Sequence, residues 1–309
     1  MNTSSQSKKE PKKAMPRATS IRLVAGFDLL ESLRSRKAIV LLALYSVGAV
    51  GASLIFIRVL TAIQERLEAE VGQAVDMKQL MESKGMVRVM GALAGDDQIA
   101  SAIVAIPPMA LFYGWLAMNF VPLLVLFTSA DAVSGDLASG GVRFSLFRTD
   151  RFSWATGKLI GQTCLMAVGV LAGAIACWIV GCIWLDGMPI GQTAYWLLRI
   201  SGRTIVYSFA YLGMVMCASQ LARTPIRSGG LALLIMFLAS VAGSLVQVGA
   251  IEEQAPTFFR AVAKLFPNGH YLWLWHPGVV QYGSSILGLI VIGLAFFMLG
   301  FWRFKARDA

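Results

Sequence analysis

Residues 131–158, DAVSGDLASGGVRFSLFRTDRFSWATGK, form a polar and basic stretch between two long apolar runs. A bilayer's hydrocarbon core takes roughly 20 consecutive apolar residues per helix. Residues 103–130 before the stretch and 159–185 after it each meet that length. The stretch therefore reads as the turned end of a membrane hairpin, not as a loop of a water-soluble domain.

Composition extends this reading to the whole chain. Its 309 residues are 57% hydrophobic and 14% charged, with a mean hydropathy of +0.67. A soluble domain carries about 25% charged residues, so this composition cannot clothe a water-exposed surface. The expected fold is all-α, a polytopic membrane protein with six transmembrane helices. Their places are 38–57, 103–130, 159–185, 204–222, 229–251 and 283–302.

A net charge of +10 raises the question of a nucleic-acid partner. The distribution of the charge answers it. With the N-terminus in the cytoplasm, segments 1–37, 131–158, 223–228 and 303–309 hold 18 of the 27 Lys and Arg but only 7 of the 17 Asp and Glu. That is the bias by which basic segments stay inside during membrane insertion. Both termini are thus expected on the cytoplasmic side of an inner or plasma membrane. The lipid bilayer is an expected partner and nucleic acid is not.

Residues 1–18 have the basic, proline-containing composition of a disordered cytoplasmic tail, and 19–309 read as one transmembrane domain. In residues 20–37, Leu23, Phe27, Leu30 and Leu33 recur at helical spacing while Asp28, Glu31 and Ser35 take another face. This pattern, ending in a basic cluster, predicts an interfacial helix in the inner headgroup layer. Residues 58–98 predict an external helical hairpin, first on Leu60, Ile63, Leu67 and Val71, then on Met77, Leu80 and Met81. Pro107 and Pro108 are expected to start the second span and Pro122 to kink it. Gly169 and Gly173 have the spacing that lets helices approach closely.

Arg199 and Arg203 stand one helical turn apart before the fourth span. They read as side chains snorkelling to outer headgroups, with the lining of a vestibule for an anionic ligand as the alternative. Between the fifth and sixth spans, Phe258, Phe259, Val262, Leu265 and Phe266 share a helical face. Pro267-Asn268-Gly269 then turns the chain, and Tyr271, Trp273, Trp275 and Tyr282 have the makeup of an interfacial belt. The expectation is a re-entrant-like segment dipping into the outer leaflet.

Catalytic patterns are missing. The Gly-Lys pair Gly157-Lys158 lacks the glycine and hydroxyl residue of a phosphate-binding P-loop. His270 and His276 lie six apart and do not share a helical face, so no metal site is expected. The four cysteines fall in apolar spans without metal-ligand spacing and read as packing residues. No nucleophile and base can be paired, so the chain is not expected to be an enzyme. The spans offer little beyond Asn119, Gln162, Gln220 and Gln247 for polar chemistry. An ion-coupled carrier usually needs intramembrane charge, so energy should come from outside this chain.

The order of features in 131–158 resembles the first cytoplasmic loop of type-2 ABC transporter permeases. Those features are Asp131 and Asp136, Gly140-Gly141, the run from Val142 to Phe147, and Arg151 seven residues before Lys158 in Gly157-Lys158. Arg148 stands where that family often has proline, and Asp136 where it often has glutamate. The interfacial helix, the six spans and the dip before the last span resemble the family too, over nearly the whole chain.

The resemblance implies a permease subunit that dimerises with a second copy or a paralogue. It rides on a separate cytoplasmic ABC ATPase, which holds the ATP and Mg²⁺, and transports by alternating access. No cofactor is implied in this chain. The ATPase-coupling residues implied are Asp136, Arg143, Phe144, Phe147, Arg148, Asp150, Arg151 and Lys158. The residue chemistry agrees: Phe144 and Phe147 give a short helix an apolar edge, and Arg143, Arg148 and Arg151 offer donors to acidic groups of a partner. The rival expectation is a membrane anchor or assembly scaffold, whose 58–98 segment and aromatic dip hold an extracytoplasmic protein without transport.

Overall fold

The computed structural model describes residues 16–71, 97–185, 187–251, 262 and 264–306. Among these residues all regular structure is helical and no strand occurs. The chain opens with α1 (Arg17–Arg34) and, after Ser35, α2 (Arg36–Val71). Next come α3 (Asp97–Val104) and α4 (Pro108–Ser129), then the short α5 (Ser134–Ser139) and α6 (Gly141–Leu146). The long α7 (Arg151–Trp184), α8 (Ile190–Leu221) and α9 (Pro225–Ile251) follow. Two 3₁₀ turns, Pro267–His270 and Leu272–Trp275, lead into α10 (Val279–Lys305). Six of these helices are long and apolar enough to cross a membrane. The chain is an all-α, multi-pass membrane protein.

The helices outrun the apolar runs that mark them in the sequence. Instead of ending near residue 57, α2 continues to Val71, since no Gly or Pro interrupts residues 52–71. The first helix of the expected external hairpin is therefore an extension of span 1. Its turn and second helix, the 1–15 part of the tail, and Phe258 and Phe259 of the expected dip lie outside the described residues. The second span starts later than expected, with Pro107 as the N-cap and Pro108 in the first turn of α4, and the helix runs through Pro122 without a break. Fourteen residues ahead of the expected fourth span, α8 begins at Ile190, because polar residues such as Gln192 and Arg199 lower hydropathy without breaking a helix.

At 34 residues, α7 is about 50 Å long against a hydrocarbon core of about 30 Å. It is therefore longer than a straight crossing of that core requires.

The bundle forms around α8, which packs against α10, α4, α7 and α9. Small residues set the distances. Gly213 of α8 meets the Gly293 backbone of α10, and a Cβ at Gly300 would fall 2.7 Å from the Cys217 Cα. Along α7, a Cβ at Gly169 would meet Leu42 at 2.7 Å and one at Gly173 would meet Tyr45 at 2.6 Å, so α2 lies directly against it. The expected close approach at this pair is present. Of the four cysteines, Cys177 and Cys217 are buried and Cys164 and Cys182 exposed, and all are free.

Candidate functional site

The connection between α4 and α7 turns twice. Gly140 ends α5 in the left-handed region, φ +76°, and the same residue caps the start of α6. A side chain at that backbone conformation is strained, which is the use of glycine here. Leaving α6, the chain reaches Asp150, whose carboxylate caps α7 by accepting from the Ser153 amide at 3.1 Å and the Ser153 hydroxyl at 2.6 Å. Those hydrogen bonds hold the Asp150 carboxyl below its ordinary pKa.

The charged residues of this region divide into an internal set and an external set. Lys158 is internal, only 7% exposed. Its Nζ lies 2.8 Å from Asp28 Oδ1 on α1 and 2.8 Å from Asp136 Oδ2 on α5. The other Asp28 oxygen accepts from Gln162 Nε2 at 2.8 Å, and Gln162 Oε1 accepts from the Ser129 hydroxyl at 2.8 Å. The network thus joins α1, α4, α5 and α7. Burial pushes the Asp28 carboxyl above its ordinary pKa, against the pull of Lys158.

This strut exists because α1 can lie flat on α7. A Cβ at Gly157 would fall 2.6 Å from Val24 Cβ, and one at Gly161 would fall 2.6 Å from Asp28 Oδ2. The polar face of α1 is consequently the buried one, with Ser20 and Asp28 inside. Leu23, Phe27 and Leu30 point away from the protein, as an interfacial helix requires, while Leu33 packs partly against the core.

Three further contacts pin the connection. Arg151 Nη1 donates to the carbonyls of Lys305 at 2.8 Å and Phe304 at 3.4 Å, satisfying acceptors left open at the end of α10. The Ser219 hydroxyl of α8 accepts from the amides of Val133 and Ser134, each at 3.0 Å. Lys37, at the start of α2, pairs with Asp131 at 2.8 Å.

The external set is Arg143, Phe144, Phe147 and Arg148, all exposed. Phe144 is 78% and Phe147 85% exposed. They line a groove of about 720 Å³ together with Leu23 and Phe27 of α1. On the other side of α6, Arg143 shares a cavity of about 840 Å³ with Arg223 and Arg303. Of the eight residues singled out in the sequence, Asp136, Asp150, Arg151 and Lys158 hold the connection in place. The other four face outward.

Sequence reasoning missed Asp28, Arg223 and Arg303 as members of this region. For Asp28 a signal existed. Asp28 and Ser32 are one helical turn apart, as are Lys158 and Gln162, and the two pairs interlock. Nothing in the spacing of the two arginines announces that they meet.

At the opposite end, the snorkelling reading of Arg203 is corrected. This residue is 4% exposed, and its guanidinium lies 5.5 Å from the Trp275 ring centre and 5.3 Å from that of Tyr282. Arg199 remains exposed, over Trp196 at 5.1 Å. The belt reading of Trp275 is corrected with it. That indole is buried, and a Cβ at Gly114 would fall 2.6 Å from it, so the bare backbone of α4 receives the ring. His270 is buried with its Nε2 2.9 Å from the Lys264 carbonyl, and His276 Nδ1 accepts from the Gly278 amide at 2.9 Å. Among the described residues no three potential metal ligands gather.

The molecule is thus a membrane bundle with an exposed polar connection, held by contacts to α1, α8 and α10, that carries two bare phenylalanines between arginines. The chain matches the family model described as ABC-2 family transporter protein over residues 22–309, and it belongs to that family. No curated protein matches it.

Proposed function

We propose that the chain is the permease subunit of an ABC transporter, driven by a separate ATPase that docks on α6. Phe144 and Phe147 are the contact, inserting into an apolar cleft of the ATPase, while Arg143, Arg148, Arg223 and Arg303 meet its acidic groups. ATP and Mg²⁺ belong to the ATPase. Two permease chains work together in the inner or plasma membrane, with both termini cytoplasmic.

The observation that carries this reading is the pairing of exposure with rigidity. Phe144 and Phe147 are bare to solvent, yet the segment beneath them is fastened to α1, α8, α7 and α10. A displaced loop of loose chain would absorb a push. This one passes it into α7, a single helix from Arg151 to Trp184. Closure of two ATPase subunits then becomes a rocking of helices that changes which side of the membrane an inner cavity faces.

The test is Phe147→Glu. An exposed substitution should shift stability by no more than about 0.5 kcal/mol, so the variant should insert and melt like the wild type. We expect it to lose the copurifying ATPase and the stimulation of ATP hydrolysis by the permease. Normal stimulation by the variant sinks the docking role. Purification of the wild type with no nucleotide-binding partner returns the scaffold reading.

A further inference from the structure

The first turn of α7 and the last turns of α10 close on each other at the end of the bundle that carries the connection. Arg151 Nη1 donates to the Lys305 carbonyl at 2.8 Å and to the Phe304 carbonyl at 3.4 Å. A guanidinium there meets acceptors that a helix end leaves open and complements the negative end of its dipole. The next residue, Phe152, meets Phe301 edge to face, with ring centres 5.6 Å apart at 78°. Two residues on, the Trp154 indole stacks on the Phe304 ring at 5.7 Å. Phe297, Phe301 and Phe304 recur four and three residues apart, so one stripe of α10 supplies the rings. Trp154, Phe297 and Phe304 are buried, which makes this a core contact between the two helices.

Trp154 also ties this contact to the ionic network. Lys158 Nζ, one turn along α7, lies 5.7 Å from the centre of the indole, and the same ammonium holds Asp28 of α1 and Asp136 of α5. A displacement of α5 and α6 is thus delivered to the turn of α7 that grips α10. From Val279 to Lys305, α10 is a single helix. It lies on α8 with Gly293 against the backbone at Gly213 and with Gly300 beside Cys217. Such a surface has few interlocking side chains to resist a shear of one helix along the other. Toward its other end, Gly288 of α10 receives the His270 ring, where a Cβ would fall 2.5 Å from Cε1. One helix therefore runs from the connection to the 3₁₀ turn Pro267–His270.

We propose that Arg151, Trp154 and Phe301 are positioning residues that clamp α10 to α7, so that docking at α6 drives two spans and not one. Through α10 the movement reaches the 3₁₀ turn at the far end of the bundle. This inference rests on the docking reading above and names the route by which displacement leaves α6.

The experiment uses the full chain purified with its ATPase. Phe301→Leu removes the ring contact with Phe152 and leaves Phe144, Phe147 and the ionic network in place. Arg151→Gln removes the guanidinium from the end of α10, and Phe301→Tyr keeps the ring. We expect all three variants to retain the ATPase. Phe301→Leu and Arg151→Gln should lower the stimulation of ATP hydrolysis about fivefold or more, the lower range of coupling between distant sites, while Phe301→Tyr keeps it. Addition of ATP and Mg²⁺ should change hydrogen exchange at Pro267–His270 in the wild type and not in Arg151→Gln. A merely structural role would lower the thermal midpoint without removing that ATP-dependent change. Full stimulation and an unaltered exchange response in both variants overturn the clamp and leave docking intact. Loss of the ATPase from Phe301→Leu overturns it too, by making the stripe part of the docking surface. A wild type that purifies without an ATPase overturns the docking reading, and the clamp with it. Should Phe301→Leu fail to fold, Arg151→Gln, which alters an exposed contact, decides alone.

Discussion

Two buried cations, one near each end of the bundle, are held in opposite ways. Lys158 has two carboxylates at 2.8 Å and lies beside a network that reaches four helices. Arg203 has two aromatic rings and, among the described residues, no carboxylate. The contrast separates two uses of a buried charge. Where the fold supplies the counter-charge, the cation is a fastener and the region moves as one piece. At Arg203 the described residues supply aromatic faces and the Tyr282 side chain instead, and the cation is held by packing.

The largest effect expected of this contrast is at Lys158. Lys158→Met leaves the Asp28 carboxylate buried without its cation, a loss of about 3–5 kcal/mol. It should appear as a fall in the thermal midpoint of the detergent-solubilised chain. Adding Asp28→Asn removes the stranded charge, so the double variant should be more stable than Lys158→Met alone. A double variant worse than the single would mean that Lys158 acts by packing and not by its charge.

Arg203→Met should behave differently. It removes a charge that has no carboxylate partner among the described residues and loses the ring contacts and the Tyr282 hydrogen bond, about 2 kcal/mol. A thermal shift as large as that of Lys158→Met would show that Arg203 is also a fastener, and the comparison would fail.

The smallest effect expected is a pH dependence at His270. Burial lowers the pKa of this imidazole from its ordinary 6.5. The folded state therefore binds fewer protons than the unfolded one. The stability this gives is present above pH 6.5 and is lost as pH falls through the lowered value. Hydrogen exchange at the 3₁₀ turns Pro267–His270 and Leu272–Trp275 should quicken on acidification, with α1 and α7 unchanged. His270→Gln should abolish the difference.

Much of the fold was legible because hydropathy and length report membrane spans directly. Six runs of apolar residues became six helices. The ends were not legible, since polar residues such as Arg199 and Arg203 continue a helix while breaking an apolar run. In α1, Leu23, Phe27 and Leu30 face away from the protein as their spacing predicted. The spacing did not say that Asp28, on the other face, is buried. That follows from Gly157 and Gly161, which strip α7 of side chains just where α1 crosses it.

The candidate site shows the same division. Exposed apolar residues beside arginines, Phe144 and Phe147 with Arg143 and Arg148, could be picked out from a short helical pattern alone. The roles of Arg151 and Lys158 could not. The acceptors of Arg151 are carbonyls more than 150 residues further along the chain, and Lys158 reaches back 130 residues to Asp28.

By itself the sequence determined the class, the six crossings and the outward edge of α6. Those depend on transfer of side chains between water and hydrocarbon, which composition and period report residue by residue. Only the tertiary structure decided which charges are paired with carboxylates and which are packed among rings. A lysine and an arginine carry the same formal charge in a sequence. Whether a carboxylate lies 2.8 Å away depends on where other helices cross, and on the few glycines that let them come so near.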